Sequence, residues 1–308
     1  MKALVTGGAG FIGHHLVRAL QARGGEVVVL DNFSTGRRER LQPGVALVEG
    51  DIRDREFVSR VFAEGRFDLV FHLAALARVQ PSIADPLNTH DVNVTGTLNL
   101  LRGAATNGVQ RFIYSSSSSI YGDQTTLPYH EGMIANPMHP YGLQKWMGEE
   151  LCRLFSKVYG LDTVCLRYFN VFGPGMIEDS AYCTAIQIFI GQCRRGEKVT
   201  VVGDGSVRRD FTNVRDIVAG NLAAADAPGR LNGEPFNLGA AANVSIREVA
   251  ERVLQAYGRD WEHDVAFLPP RPNEPLATLA DRAKAKARFG WEPKVLFLEG
   301  LDEILPPR

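Results

Sequence analysis

Short runs of apolar, mostly β-branched residues recur through the first half of the chain, each separated from the next by a longer stretch of mixed polarity. Continuous apolar runs of this length predict strands that are buried on both faces. Stretches between them, such as 11–23 and 86–107, are amphipathic and long enough for the crossover helix that parallel strands require. The pattern therefore predicts an α/β fold with a doubly wound parallel sheet. The predicted strands are Lys2–Thr6, Glu26–Leu30, Val45–Glu49, Asp68–Leu73, Arg111–Ser115 and Thr163–Tyr168.

The pattern loosens after residue 170, where short segments are separated by turn-forming stretches such as 173–175 and 203–205. We interpret this part of the chain as a smaller α/β lobe. Residues 213–238 contain a helical and a strand-like segment that we expect to return to the large domain. The predicted division is interleaved: residues 1–169 with 213–238 form one domain, and 170–212 with 239–308 form the other.

Composition narrows the functions open to the chain. Of its 308 residues 45 % are hydrophobic and 22 % charged, and 34 Lys and Arg nearly balance 35 Asp and Glu. These values argue against disorder, a broad nucleic-acid surface and a membrane-surface role. With no apolar stretch of about 18 residues and no signal-peptide pattern at the start, we expect a cytoplasmic protein. The four cysteines lack zinc-ligand spacing, so no metal site is expected.

A glycine-rich turn follows the first predicted strand. Gly7, Gly10 and Gly13 allow a tight turn, close approach of a pyrophosphate to bare backbone, and close packing of the next helix. Asp31 ends the second strand region 18 residues past Gly13, near the spacing typical of an acid that binds ribose hydroxyls. Such an acid repels a 2′-phosphate, which favours NAD. The arginine pair 37–38 leaves NADP open, and a structural glycine turn is a further alternative.

A tyrosine and a lysine four residues apart are candidates for acid–base catalysis. Pro137 and Pro140 are suited to open a helix, which would place Tyr141 and Lys145 on one helix face. The ammonium is expected to lower the pKa of the phenol, so that Tyr141 can act as a general base near neutral pH. Because this spacing is common by chance, a structural pair is the alternative.

A run of five serines, 115–119, comes about two dozen residues before this pair. Such a run is usually a flexible linker. Here it is bracketed by the apolar segments 111–114 and 120–122, which indicates that it ends a buried strand. Doubly wound folds bind their ligands at the carboxyl edge of the sheet, so the serines are expected to face a binding site.

Taken in order, these motifs resemble the extended short-chain dehydrogenase/reductases, and within them the nucleotide-sugar 4-epimerases for UDP-glucose and UDP-N-acetylglucosamine. The resemblance covers essentially the whole chain. It implies a Rossmann domain, NAD, a nucleotide-sugar substrate and a homodimer formed through helices at 86–107 and 141–159. The matching segments are Gly7–Gly13, Asp31-Asn32, Gly50–Ile52, His72–Ala75, Asn93–Thr97, Ser115–Gly122, Tyr141–Lys145, Arg167–Gly173, Gly203–Phe211 and Arg271–Asp281.

The resemblance also implies a cofactor site. Asp51 and Ile52 would hold the adenine, and Lys145 would bind the nicotinamide ribose. The implied cofactor residues are Gly7, Gly10, Phe11, Ile12, Gly13, Asp31, Asn32, Ser34, Gly36, Asp51, Ile52, Leu73, Ala74, Ala75, Asn93, Ser115, Tyr141, Lys145 and Tyr168.

For the substrate, the resemblance makes Tyr141 the catalytic tyrosine and Ser117 the group that hydrogen-bonds the reacting sugar oxygen. Three further residues would hold the diphosphate and ribose: Asn170, Arg209 and Arg271. Glu274 stands where relatives carry aspartate, so its ribose contact would be one methylene longer.

Three further positions bear on the base and the sugar. Val202 and Val207 replace an aromatic residue and a glutamine that are frequent in relatives, which weakens the assignment of uracil as the base. The resemblance places Thr278 at the position that lines the hexose pocket in relatives, where a small side chain implies room for an N-acetylated sugar as well as glucose; the alternative is that Thr278 merely begins a strand at 278–281.

The expected reaction is removal of the C4 hydroxyl proton by Tyr141 with hydride passing to NAD, rotation of the 4-keto sugar, and return of the hydride to its opposite face. A nucleotide-sugar 4,6-dehydratase or a UDP-glucuronate decarboxylase is the nearest alternative. Dehydratases need an Asp-Glu pair where this chain has Ser118 and Ser119, and decarboxylases carry glutamate at the second position. A non-catalytic NAD-sensing regulator is the third possibility.

Overall fold

The computed structural model describes residues 1–176, 184–270 and 275–307, which are organised around a seven-stranded sheet. Every pair of neighbouring strands in this sheet is parallel. From one edge to the other, the strands are β11 (Glu234–Leu238), β6 (Asp162–Tyr168), β5 (Arg111–Ser117), β4 (Leu69–His72), β1 (Lys2–Thr6), β2 (Glu26–Asp31) and β3 (Ala46–Glu49).

Helices cover both faces of the sheet because alternate strand residues point to opposite sides. In β1, Ala3 and Val5 pack against one set of helices and Leu4 against the other. The first set is α1 (Phe11–Ala22), α8 (Val214–Asp226) and α11 (Ala283–Phe289). The second set is α2 (Arg55–Gly65), α5 (Thr97–Thr106) and α6 (Pro140–Val158). The doubly wound α/β fold expected from the sequence is therefore confirmed.

The predicted strands agree with the observed ones to within two residues at each end. The largest difference lies in β5, which continues through Ser117 instead of ending at Ser115. The stretch 86–107 is divided into α4 (Pro86–His90), a π-helical segment at Asp91–Gly96, and α5. None of the helices in the described residues is both long and apolar enough to cross a membrane.

A second core lies outside the sheet and is formed by Phe172, Phe211 and side chains of further helices and strands. The helices and strands outside the large sheet and its two helix layers are α3 (Val79–Ala84), β7 (Val171–Phe172), α7 (Ala185–Arg194), β8 (Val199–Val202), β9 (Arg208–Asp210), β10 (Thr212–Asn213), β12 (Asn243–Ser245), α9 (Ile246–Ala256), α10 (Trp261–Asp264), β13 (Val265–Leu268) and α12 (Phe297–Asp302). Side chains of α8 and β11 are buried in the core of the large sheet. Ala285 and Trp291 are also buried there, although they lie in the stretch expected to form the smaller lobe.

Candidate active site

A cavity of about 400 Å³ opens at the carboxyl edge of the sheet and reaches Met176, Thr184 and Gln187 in the smaller lobe. Ligands of doubly wound folds bind at this edge. The predicted site residues that line the cavity are Gly7, Gly10, Phe11, Ile12, Gly13, Asp31, Asn32, Ser34, Asp51, Ile52, Leu73, Ala74, Ala75, Ser115, Ser117, Tyr141, Lys145, Tyr168 and Asn170.

The glycine turn forms one wall of the cavity, with a backbone that leaves no room for side chains. A Cβ atom at Gly13 would lie 2.1 Å from the Gly7 carbonyl oxygen, and one at Gly7 would lie 2.7 Å from the Ala74 amide nitrogen. Gly7 also has φ +69°, which favours glycine. Gly10 caps α1, so the N-terminal N–H groups of this helix are available at the cavity. This cradle fits a pyrophosphate.

Asp31, at the end of β2, has a fixed and buried carboxylate. Its Oδ2 accepts a hydrogen bond from the Ala9 amide at 2.9 Å, and its Oδ1 accepts one from the Phe33 amide at 2.8 Å. Burial raises the pKa of Asp31, while these two hydrogen bonds lower it. Gly36 lies directly against this carboxylate, where a Cβ would be 2.9 Å from Oδ1. Among the predicted cofactor residues, Gly36 therefore borders Asp31 and not the cavity itself.

Asp51 lies at the end of the cavity beyond Asp31 and is held by a basic neighbour. Arg53 donates to both Asp51 oxygens, at 3.0 Å from Nε and 2.7 Å from Nη2, and Asn32 donates at 3.1 Å. The hydrogen bond from Arg53 holds the pKa of Asp51 at about 2. Asp51 is therefore an ionised acceptor beside Ile52, at the position expected to hold an adenine.

Asn93 lies behind the cavity wall and does not line it. Its side chain accepts from the Leu76 amide at 2.9 Å, donates to the Leu76 carbonyl at 3.1 Å, and donates to Gln144 at 2.8 Å. Asn93 therefore fixes the loop after β4, which carries Leu73, Ala74 and Ala75, from behind the cavity wall.

The N-terminus of α6 places the tyrosine and lysine. Pro140 is the first residue of the helix, as predicted, and His139 Nδ1 accepts a hydrogen bond from the Gly142 amide at 3.1 Å. Tyr141 and Lys145 follow on one buried face. The Lys145 ammonium donates to the Ser115 carbonyl at 2.7 Å.

The pKa directions around Tyr141 differ from the sequence expectation that Lys145 lowers the pKa of the phenol. Burial raises the pKa of Tyr141, and the opposing influences are a hydrogen bond with Ser117 and the charge of Arg78. Burial also lowers the pKa of Lys145 to about 8. A further positive charge beside the phenol, such as an oxidised nicotinamide, would favour the phenolate.

The first three serines of the run end strand β5, the last two begin a 3-10 turn, and the serines of the strand have polar partners. Ser115 Oγ and Tyr168 Oη share a hydrogen bond of 2.9 Å, and Tyr168 donates to Asn221 at 2.9 Å. Burial raises the pKa of Tyr168 to about 12, so it remains a neutral phenol. Ser117 Oγ accepts from the Ser119 amide at 3.1 Å and faces Tyr141.

Two buried groups next to the site were not predicted from the sequence. Glu149 of α6 binds Arg167 of β6 through two hydrogen bonds, and Ser116 also donates to it. His72, at the end of β4, is bonded on both ring nitrogens by Thr6 and Thr97, each at 2.8 Å. The available signal was a polar residue inside an apolar strand run, which applies to Arg167 and His72 but not to Glu149 on its helix.

The substrate residues are only partly gathered at the cavity. Asn170 lines it, but Arg209 and Thr278 do not. Arg209 donates to the Pro275 carbonyl at 2.8 Å, and Thr278 Oγ1 accepts from the Asp210 amide at 3.2 Å. The remaining two predicted substrate residues, Arg271 and Glu274, lie outside the described residues, as does Cys183.

The cavity therefore combines a phosphate cradle, a ribose acid and a buried Tyr-Lys-Ser set, which fits a dinucleotide and a second substrate. Within the described ranges, no three His, Cys, Asp or Glu side chains converge as metal ligands.

Comparison with known proteins gives the same outline. The NAD dependent epimerase/dehydratase family matches residues 3–239. A UDP-glucose 4-epimerase from Thermotoga maritima, solved with UDP-glucose, is 37 % identical with a TM-score of 0.94, covering 98 % of this chain and 97 % of that one. The UDP-glucose 4-epimerase of Thermus thermophilus, solved with NAD, is 36 % identical with a TM-score of 0.90, covering 98 % and 96 %. A UDP-N-acetylglucosamine 4-epimerase from Methanobrevibacter ruminantium, solved with UDP-N-acetylmuramic acid, is 34 % identical with a TM-score of 0.90, also covering 98 % and 96 %.

Proposed function

Because the chain belongs to the NAD dependent epimerase/dehydratase family, we propose that it is an isomerase that inverts C4 of a UDP-hexose, interconverting UDP-glucose and UDP-galactose with NAD as cofactor. The observation that carries the proposal is that Tyr141, Lys145 and Ser117 line one cavity with the glycine cradle. The structural neighbours named for UDP-glucose and solved with NAD support the substrate and the cofactor.

Three side chains carry the proton chemistry. Tyr141 takes the proton of the C4 hydroxyl and later returns it, while Ser117 hydrogen-bonds the same sugar oxygen. Lys145, held by the Ser115 carbonyl, binds the nicotinamide ribose. When bound, NAD supplies hydride acceptance and return at C4, so no net oxidation occurs.

The rest of the cofactor site follows from the cavity wall. The amides of α1 bind the pyrophosphate, Asp31 accepts hydrogen bonds from the ribose hydroxyls, and Asp51 with Ile52 holds the adenine. We assign NAD binding to residues 1–169 and 213–238, and nucleotide-sugar binding to residues 170–212 and 239–308.

For the substrate, Asn170 at the cavity supports a role in holding the diphosphate. The sequence remains the basis for the proposed diphosphate and ribose contacts of Arg209, Arg271 and Glu274.

We also propose activity on UDP-N-acetylglucosamine, which the neighbour named for that sugar supports. If Thr278 gates this activity, Thr278→Tyr suppresses turnover of the N-acetylated sugar selectively; equal loss on both sugars, or loss on neither, removes it as the gate.

The dehydratase and decarboxylase alternatives need carboxylates at the end of β5. Ser118 and Ser119 stand at those two positions and are among the residues that line the cavity. A hydroxyl with an ordinary pKa does not replace a carboxylate as the base for a C5 proton. This chemistry supports epimerisation over elimination.

The function is tested by incubating purified protein with UDP-glucose, UDP-galactose, UDP-N-acetylglucosamine or UDP-glucuronate and recording proton NMR spectra of the products. Epimerisation predicts the C4 isomer at an equilibrium approached from both sides. A dehydrated 4-keto product, carbon dioxide from a glucuronate, or no product would reject it. Mass spectrometry of the denatured protein should identify NAD; finding NADP would correct the assignment made from Asp31.

We further propose a homodimer through α4, α5 and α6. Exposed apolar side chains on these helices support it, since Leu87 is 79 % exposed, Leu98 41 % and Leu154 48 %. Sedimentation of the wild type and of Leu154→Glu tests the proposal, with a dimer expected for the first and a monomer for the second. The cytoplasmic location stays a prediction from the sequence.

A further inference from the structure

Helix α6 contacts the last three residues of β5 through three side chains spaced four residues apart. Tyr141 bonds with Ser117, Lys145 donates to the Ser115 carbonyl, and Glu149 accepts from Ser116. Residues at i, i+4 and i+8 share one face of a helix. Two of these three contacts are made by groups already assigned to the reaction, and the third is made by Glu149.

The third contact is the most strongly connected. Ser116 Oγ donates to Glu149 Oε1 at 2.5 Å, while Arg167 donates to Oε1 at 2.9 Å and to Oε2 at 2.7 Å. All three side chains are buried, with Glu149 and Arg167 each 5 % exposed. The Arg167 guanidinium also lies over the Tyr121 ring at 4.8 Å. Glu149 thereby joins α6 to both β5 and β6.

We propose that Glu149 and Ser116 are positioning residues for the C4 epimerisation: they hold α6 in register with the end of β5, so that Tyr141 and Lys145 meet the reacting sugar and the cofactor. This inference rests on the proposed function. Neither residue needs to touch the sugar. Small displacements of a reacting group lower rates strongly, and a shift of about 1 Å costs roughly 100-fold.

The location of this ion pair argues for positioning over stability alone. Buried ion pairs are often no more stabilising than apolar residues of similar volume. Ser116 is adjacent in sequence to Ser115 and Ser117, which contact the lysine and the tyrosine. Movement of Ser116 therefore moves both catalytic contacts.

Glu149 also bears on the charge of Lys145. The groups facing the ammonium are Glu149 and Cys152 on α6, Tyr114 on β5 at 4.9 Å from its ring centre, Cys165 on β6 and His72 on β4. Glu149 raises the pKa of Lys145 against the lowering by burial. Removing its negative charge should therefore release the Lys145 proton at lower pH.

Ser116→Ala tests the proposal with little risk to folding, and Ser156→Ala is its matched control. Like Ser116, Ser156 is a buried serine with a hydrogen bond, here donated to the Leu161 carbonyl at 2.6 Å, but it lies on α6, 11 residues past Lys145 and about 16 Å along the helix. We expect both variants to lose similar thermal stability. Only Ser116→Ala should lower kcat, by about tenfold with KM within about twofold. Equal kcat in the two variants would overturn the proposal.

Glu149→Gln adds a pH measurement. Its kcat should fall with rising pH about one unit earlier than in the wild type, while Ser116→Ala keeps the wild-type limb. If Glu149→Gln does not fold, Glu149→Gln/Arg167→Met removes both buried charges together. We expect this double variant to regain thermal stability yet keep a kcat about tenfold low. An unmoved pH limb, or wild-type kcat in the double variant, would contradict the proposal; an inactive wild type would instead reject the proposed function.

Discussion

Strands β5 and β6 carry one buried ion pair at each end, and the two pairs have different surroundings. At the amino edge, Arg111 lies opposite Asp162 in the strand register and binds it at 2.7 Å. At the carboxyl edge, Arg167 lies opposite Ser116 and binds Glu149 of α6. Both pairs are similarly buried, with side-chain exposures of 6–10 % for the first and 6 % for the second.

The Arg111 pair is enclosed by backbone. The guanidinium donates to the carbonyls of residues 224, 225 and 227 at the C-terminal end of α8 and to that of residue 229. Asp162 accepts from the Leu231 and Asn232 amides at 2.7 and 3.1 Å. A cation at a helix C-terminus is favourable. The Glu149 pair instead contacts Ser116 on the cavity wall. A buried ion pair therefore stabilises the fold at the amino edge, while the same kind of pair orders the active site at the carboxyl edge.

At the carboxyl edge, the largest effect is expected for Tyr141→Phe, which removes the acid–base hydroxyl and keeps the ring. We expect kcat to fall by about two to four orders of magnitude, with bound NAD and thermal stability close to wild type. Tyr159→Phe, at the exposed end of the same helix, is the control and should keep full activity. Steady-state kinetics on UDP-galactose measure both. A near-wild-type rate for Tyr141→Phe would remove it as the base.

At the amino edge, Arg111→Met breaks the other pair and leaves Asp162 buried without its cation. We expect the free energy of unfolding to fall by about 3–5 kcal/mol, while kcat per folded molecule stays at the wild-type value. Urea unfolding and active-site-normalised kinetics measure the two quantities. Lys2→Met, which breaks the exposed pair with Glu26, should cost less than about 1 kcal/mol. A selective loss of kcat in Arg111→Met would contradict the division between the edges.

Asp31 extends the comparison along the carboxyl edge to the cofactor. Asp31→Asn removes a charged acceptor worth about 1.5–3 kcal/mol, so NAD should bind roughly 10- to 150-fold more weakly, with a reduced preference against NADP. Titration with each cofactor measures both affinities. Asp54→Asn is the control, because Asp54 only caps α2 and asparagine caps equally well. Unchanged discrimination in Asp31→Asn would remove this residue as the determinant.

The smallest expected effect concerns His72, which binds Thr6 and Thr97 beneath the site. Burial lowers its pKa to about 3, from 6.5 when unfolded, so the folded state holds it neutral. Its stabilisation is complete above pH 6.5 and is lost as the pH falls towards 3, by about 1 kcal/mol per pH unit. The free energy of unfolding at pH 6.5 and 5.5 measures this loss. His72→Asn should flatten the decline and exposed His263→Asn should not; equal slopes in wild type and His72→Asn would reject the assignment.

The strands were predictable from the sequence because each is a short apolar run. The glycine turn and Asp31 could also be recognised, because they lie within one local unit of strand, turn, helix and strand. The last residues of β5 could not be predicted from the sequence. The partners of Ser116 and Ser117 come from α6, more than 20 residues later. Glu149 and Arg167 show no shared spacing in the sequence. Local patterns reveal residues that act through neighbours in sequence, and miss pairs formed by packing.

The direction of the Tyr141 pKa shows the same limit. Spacing alone suggested that Lys145 lowers it, but burial, which spacing does not report, has the larger influence. The smaller lobe was also harder to delimit, since Ala285 and Trp291 pack in the large core despite their late position in the chain.

The proposed epimerisation requires that one hydride leaves C4 of the sugar and returns to the same carbon. UDP-glucose carrying deuterium at C4 tests it most directly when incubated with the enzyme in ordinary water and followed by NMR and mass spectrometry. We expect UDP-galactose that retains the deuterium at C4, with a deuterium content that does not fall as turnover proceeds. Loss of the label to water, or its appearance at another carbon of a dehydrated product, would rule out the proposed epimerisation.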